Sequence, residues 1–164
     1  MVVRSPRTFL SRRRRSTVSA LLALLLVGAE GEPRLTLRNL DGGTTRLTRN
    51  EGDPPLVVHF WATWCTSCAE ELPALSLAAA ACGSAVRVVA VDVDEEADVV
   101  SRFVAEHGIS LQILLDPEAV AWRRAGLQGL PANLIATDDG VRRTIGPTDE
   151  ARWRERLRAL GCAG

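Results

Sequence analysis

The chain contains no lysine; all twenty of its basic residues are arginine. That absence is a bias of composition, and no function is read from it. Acidic residues are missing from positions 1–29, which hold six of the arginines. Residues 30–164 carry the other 14 arginines against 20 acids, a net charge of −6. A domain so charged lacks the basic surface that nucleic-acid binding requires, so no nucleic acid is expected as a partner. The apolar run near the amino end, Val18–Val27, falls well short of the about 20 residues that span a bilayer. No cysteine lies close to residue 29, which argues against a lipoprotein. No second close-spaced pair accompanies Cys65 and Cys68. The other available ligands, Cys82, Cys162, His59 and His107, are scattered, so the pattern of a four-ligand zinc site is missing and no metal is expected.

What is present divides the chain in two. Arg4, Arg7 and Arg12–Arg15 form a basic start, Val18–Val27 an apolar stretch, and Val27-Gly28-Ala29 a run of compact residues that a signal peptidase reads. Residues 1–29 are therefore expected to be a signal peptide cut after Ala29, or else an uncleaved N-terminal membrane anchor. The Arg run also permits a loose twin-arginine reading. In each case residues 30–164 form one domain outside the cytoplasm, periplasmic or extracytoplasmic, where disulfides persist. Contact with the membrane is expected only through the N-terminal segment, if it is retained.

The functional stretch is Phe60-Trp61-Ala62-Thr63-Trp64-Cys65-Thr66-Ser67-Cys68. The apolar run Leu56–Trp61 reads as a strand buried on both faces, broken only by His59. A helix-compatible segment, 66–82, follows at once and contains Pro73, which is expected to kink it. The strand thus delivers Cys65 to a helix N-terminus, where unpaired N–H groups and the helix dipole favour negative charge. A thiolate is stabilised there and becomes a nucleophile near neutral pH. Cys68, one turn on, is close enough to close a disulfide. Such a pair cycles between dithiol and disulfide with no metal or organic cofactor. A merely structural bond is the weaker reading, because so short a loop gains little from cross-linking.

The rest of the chain reads as alternating strands and helices. Leu35–Leu37 and Thr44–Leu47 flank the turn Asp41-Gly42-Gly43 as a hairpin. Val86–Val93 is a second apolar strand, and Asp94–His107 has helical spacing in Val99, Val100, Phe103 and Val104, closed by Gly108. Strands joined through helices imply parallel pairing. Gln112–Leu115 is extended, and Asp116-Pro117 is expected to cap and start a helix closed by Gly126. Asn133–Thr137 and Val141–Ile145 form a hairpin about Asp138-Asp139-Gly140. Thr148–Leu160 reads as an amphipathic helix capped by Thr148. Its Arg152, Arg154, Arg156 and Arg158 do not share one helix face and are taken as solvated.

Trp61-Ala62-x-Trp64-Cys65-x-x-Cys68 resembles the thioredoxin superfamily signature. Cys68-x-x-Glu71-x-Pro73 narrows the resemblance to the exported TlpA/ResA-like thiol–disulfide oxidoreductases, over roughly residues 33–160. The resemblance implies an α/β thioredoxin fold: a central mixed β-sheet flanked by helices, with an N-terminal β-hairpin extension. It implies that Cys65 and Cys68 are catalytic and that Pro131 is a cis-proline against Cys65. Trp61 and Trp64 would frame the pair, and the backbone of Leu130 would receive an extended substrate. By the same resemblance Glu71 tunes the cysteines, or is a solvated surface residue. His59 stands where thioredoxin has a buried acid, as a proton acceptor or tuner for Cys68 or as a buried residue without a catalytic role. In such a fold the first and last helices end at the same pole, which makes Cys82–Cys162 a candidate structural disulfide. Partners are protein disulfides or dithiols, with a membrane thiol–disulfide electron donor.

Departures from the family pattern matter. Thr66-Ser67 lacks the usual proline before the second cysteine, and Ala132 stands where cytochrome c maturation members often have Glu. The expected function is reduction of disulfides in exported proteins, apocytochrome c among them. Two alternatives stay open. A peroxiredoxin-type peroxidase needs a Thr three residues before the attacking cysteine, where this chain has Ala62. A redox-inert metal-binding assembly chaperone would instead load copper or zinc on Cys65 and Cys68.

Overall fold

The computed structural model describes residues 33–163. The targeting segment expected over residues 1–29 lies outside them. In chain order the elements are β1 (Leu35–Asn39), β2 (Thr44–Leu47), β3 (Leu56–Trp61), α1 (Thr66–Ala80), β4 (Arg87–Val93), α2 (Ala97–Glu106), β5 (Gln112–Asp116), α3 (Val120–Arg124), β6 (Ala132–Thr137), β7 (Gly140–Ile145) and α4 (Glu150–Ala159). The strands form one mixed sheet in the order β2-β1-β5-β4-β3-β6-β7.

The apolar run of β3 explains its place. All six of its residues are buried, which suits a strand covered on both faces. It pairs in parallel with β4 and antiparallel with β6. The parallel β4–β5 pair extends the sheet, and the β1–β2 hairpin joins it because β1 runs antiparallel to β5. On one face Leu37, Phe60, Val91 and Leu134 pack beneath α3. On the other, Val57, Leu75 and Trp153 pack between sheet, α1 and α4, and Trp61, Leu72 and Val100 pack against α1 and α2. Each fully buried Leu, Val or Phe contributes about 1.5–3 kcal/mol relative to exposure.

Three helix starts differ from the sequence expectation. The helix expected from Asp94 begins at Ala97, because Asp94 sits in the left-handed region at φ 68°. The helix expected at Asp116-Pro117 begins at Val120, since Asp116 still belongs to β5 and Ala119 is left-handed. The Asp116 carboxylate nevertheless caps it from below, accepting from the amides of Ala121 (3.1 Å) and Trp122 (2.8 Å). The cap of α4 is Asp149, which accepts from the Arg152 amide at 2.8 Å; the Thr148 hydroxyl accepts instead from Arg156. The first helix ends at Ala80 and runs on through Pro73.

Candidate active site

Cys65 is the N-cap of α1, with extended φ/ψ of −86° and 100°. Its carbonyl accepts from the amides of Cys68 (2.9 Å) and Ala69 (3.0 Å), which starts the helix. The amides of the first turn have no partners further back in the helix, so the Cys65 sulfur sits where negative charge is favoured. Cys65 and Cys68 are joined as a disulfide with Cα atoms 5.2 Å apart. Their environments differ: Cys65 is 9% exposed, and Cys68 is fully covered. The Ser67 hydroxyl lies 3.6 Å from the Cys65 sulfur, a long polar contact to the reactive atom.

The surrounding residues come from the end of β3, the link from β3 to α1 and the loop before β6. Trp61 ends β3, is buried, and packs on Phe103 with ring centroids 5.2 Å apart. Trp64 is 65% exposed beside Cys65 and offers an aromatic face to a partner. The Leu130–Pro131 bond is cis, and Leu130 packs on the apolar cluster that contains both cysteines. The Pro131 carbonyl accepts from Gly146, which ties this loop to the end of β7. The Trp122 indole donates to the Gly129 carbonyl just before it, at 3.4 Å.

A polar row crosses the sheet from buried His59 and Asn133 to half-buried Thr144. His59, Asn133 and Thr144 face one another across β3, β6 and β7. The Asn133 amide donates to the Thr144 hydroxyl at 3.2 Å, so its carbonyl is left to accept from His59 Nδ1 at 2.9 Å. That leaves His59 Nε2 as a buried lone pair without a partner. Burial drives the His59 pKa down to about 4, against the Asn133 bond, which raises it; the ring is neutral at neutral pH. Trp153 of α4 stands edge-on to it, with centroids 6.1 Å apart.

Glu71 is not a solvated surface residue: it is 4% exposed. Its Oε1 accepts from the Trp153 indole at 2.7 Å, while Oε2 has no partner. Burial raises its pKa above the usual carboxylate range, opposed by bonds from Thr148 and Trp153 and by the Arg156 charge. Arg156 also lies over the Trp153 ring, 5.4 Å from its centroid. A surface reading of Glu71 fails because α4 closes over this side of α1.

Cys82 and Cys162 form a second disulfide between the ends of α1 and α4, with Cα atoms 4.6 Å apart. Among the described residues no group of three or more His, Cys, Asp or Glu is arranged to hold a metal ion. Sequence reasoning missed Asn133 and Trp153 as neighbours of the site. It also missed Glu95, which accepts from both the amide and the hydroxyl of Thr63, each at 2.5 Å. Asn133 and Asp92 each interrupt an apolar strand, and that interruption is the signal available in the sequence. Trp153 carries none, because its partners are 82 residues away.

A mixed sheet of this order, a helix capped by one cysteine of a Cys-x-x-Cys pair and a cis-proline loop against it define a thioredoxin-superfamily thiol–disulfide oxidoreductase of the TlpA/ResA-like kind. The AhpC/TSA family matches residues 30–144, and the chain belongs to it. The soluble secreted antigen MPT53 of Mycobacterium tuberculosis is 28% identical over 131 residues, covering 74% of this chain and 75% of that one. Thiol-disulfide oxidoreductase ResA of Bacillus anthracis is 28% identical over 115 residues, covering 70% of this chain and 65% of its own length. The structure of a secreted M. tuberculosis disulfide oxidoreductase homologous to E. coli DsbE superposes with a TM-score of 0.67 at 27% identity, covering 77% of this chain and 96% of that one. Among the described residues no helix is long and apolar enough to cross a membrane.

Proposed function

We propose that the protein is an exported reductase of protein disulfides, with Cys65 as the attacking sulfur and Cys68 as the resolving one. The reading rests chiefly on the asymmetry of the pair: Cys65 caps α1 and keeps 9% of its surface exposed, whereas Cys68 is fully covered. The Cys65 thiolate attacks one sulfur of a partner disulfide, that bond breaks, and the partner's departing thiolate takes a proton. Cys68, losing its proton, then attacks the Cys65 sulfur in the mixed disulfide. The partner leaves as a dithiol, having gained two electrons, and Cys65–Cys68 is oxidised. An external dithiol donor at the membrane reverses this half of the cycle. No organic cofactor or metal enters any step.

Supporting roles follow from the environments. Glu71, one helical turn from Cys68 and raised in pKa by burial, is the group suited to take the Cys68 proton. His59 gives up its own proton near pH 4, so it stores none at neutral pH. It acts through Asn133 as a hydrogen-bonding tuner of the buried side. Trp64, Trp61 and cis-Pro131 frame the partner, whose extended backbone pairs with Leu130. Export through residues 1–29, cleaved or anchored, places the domain in an extracytoplasmic space, as the secreted relatives suggest. Apocytochrome c is a substrate class that fits the likeness to ResA and DsbE.

The midpoint potential of Cys65–Cys68, in protein starting at Glu30 with Cys82 and Cys162 replaced, tests the direction. A value near about −270 mV supports a reductant; one near about −120 mV overturns it in favour of a disulfide donor. Stoichiometric copper or zinc uptake with no disulfide exchange would establish a metal chaperone instead, and rapid peroxide consumption a peroxidase.

A further inference from the structure

Asp92 breaks the apolar run of β4 and is fully buried. No donor reaches either of its carboxyl oxygens, and in the protonated form its O–H donates to the Glu95 carboxylate. An ionised carboxylate in such a place is costly, so the group keeps its proton instead. Burial, reinforced by Glu95 and Asp94, pushes its pKa up to about 9. Its sheet neighbours are Trp61 on β3 and Leu115 on β5, and neither is charged. The α1 and α2 residues of the adjoining cluster, Leu72, Val100, Phe103 and Val104, are apolar. The charges bearing on it are therefore the acids Asp94 and Glu95 in the link to α2.

Glu95 holds the other end of the arrangement. Its Oε2 accepts from the Thr63 amide and its Oε1 from the Thr63 hydroxyl, each at 2.5 Å. Thr63 lies in the short link Ala62–Trp64, which carries the chain from buried Trp61 to exposed Trp64 and on to Cys65. This two-pronged clamp is the only side-chain hydrogen bonding to that link among the described residues.

We propose that Asp92 is a positioning residue of the redox centre: as a buried neutral acid it lets Glu95 grip Thr63, and so fixes the link that presents Trp64 and Cys65 to a partner. Ionisation of Asp92 places two carboxylates against each other with no cation between them. Glu95 is driven outward, the Thr63 clamp opens, and Trp64 and Cys65 lose their fixed placement. The redox centre thus carries its own alkaline limit, separate from the ionisation of its thiols. This inference rests on Cys65 being the attacking sulfur, but its first test needs no turnover.

The composition makes that test clean. The chain has no lysine and no tyrosine, and in the oxidised protein all four cysteines are bonded. Between pH 8 and 11, Asp92 is then the side chain left to ionise, since Arg titrates above about 12 and the α-amino group near about 8. Tryptophan fluorescence of the oxidised full chain is expected to show a transition near pH 9 in the wild type. Asp92→Asn, a neutral mimic of the protonated acid, should lack it, with only the α-amino titration common to both. In turnover, Asp92→Asn should hold its kcat/KM on the alkaline side where the wild type falls. Glu95→Gln removes the repelling charge and should move the transition to lower pH, which keeps the proposal testable if Asp92→Asn does not fold. A wild-type transition that persists in Asp92→Asn, one that does not move in Glu95→Gln, or no transition at all overturns the proposal. If the transition behaves as expected but Cys65→Ser still turns over, the clamp stands and the assignment of Cys65 fails.

Discussion

Cys65–Cys68 closes a loop with a sequence separation of 3, whereas Cys82–Cys162 closes one of 80. Both involve α1, one at its first turn and the other just past its last. The stabilisation a cross-link gives grows with the loop it removes from the unfolded chain, so the first bond contributes little to folding and the second a great deal. Their surroundings follow the same division. The first sits at a helix N-terminus, beside the Ser67 hydroxyl, an exposed tryptophan and a cis-proline loop. The second lies among Val86, Leu157 and Trp153 in the seam between α1 and α4, just past the C-terminal ends of both helices, where the helix dipole disfavours negative charge. The same chemical bond is thus placed once where a thiolate is stabilised and once where it is not.

The comparison breaks most visibly at Cys65. Cys65→Ser should cut insulin-disulfide reduction by at least about a thousandfold, while the denaturation midpoint of the reduced protein stays nearly constant. The converse holds for the other pair. Replacing Cys82 and Cys162 by Ser should leave turnover within about twofold and cost about 4 kcal/mol in urea unfolding of the oxidised protein. A large loss of turnover there would mean that the second bond also takes part in exchange.

Three further substitutions probe the buried polar groups between and around the two pairs. His59 binds a proton in the unfolded chain below about pH 6.5 but in the folded one only below about pH 4. Its contribution is therefore complete above pH 6.5 and is lost as pH falls through that window, by about 3 kcal/mol in all. His59→Leu should flatten this part of the stability–pH curve. Asp92 has the opposite sign. Its folded pKa is raised, so stability is greatest at low pH and falls by about 1.4 kcal/mol per pH step between roughly 5 and 9. Asp92→Asn should remove that slope. Smallest of all, Trp153→Phe deletes the donor to Glu71 and should cost about 1–3 kcal/mol, with the pH dependence of turnover shifted because Glu71 loses a bond that lowers its pKa.

How much of this was legible in the sequence follows from the range of the interactions. The Cys-x-x-Cys pair and the buried β3 were readable because each is encoded within about ten consecutive residues, whereas the cis bond at Pro131 followed only from the family resemblance. The strand hairpins and the bounds of β3 were readable for the same reason. The starts of α2 and α3 were not, because left-handed Asp94 and Ala119 are set by how the chain turns off the sheet. Glu71 was ambiguous in sequence for a related reason: its burial depends on Trp153, brought in by a helix 82 residues later. The Thr63–Glu95 clamp spans 32 residues and involves two ordinary polar side chains, so nothing local marks it.

The most direct test of the central claim is to react Cys68→Ser protein with a disulfide-bonded polypeptide and map the adduct by mass spectrometry without reduction. The account predicts a mixed disulfide on Cys65, with Cys82 and Cys162 still joined to each other. An adduct on Cys82 or Cys162, or none under conditions where the wild type turns over, would contradict it.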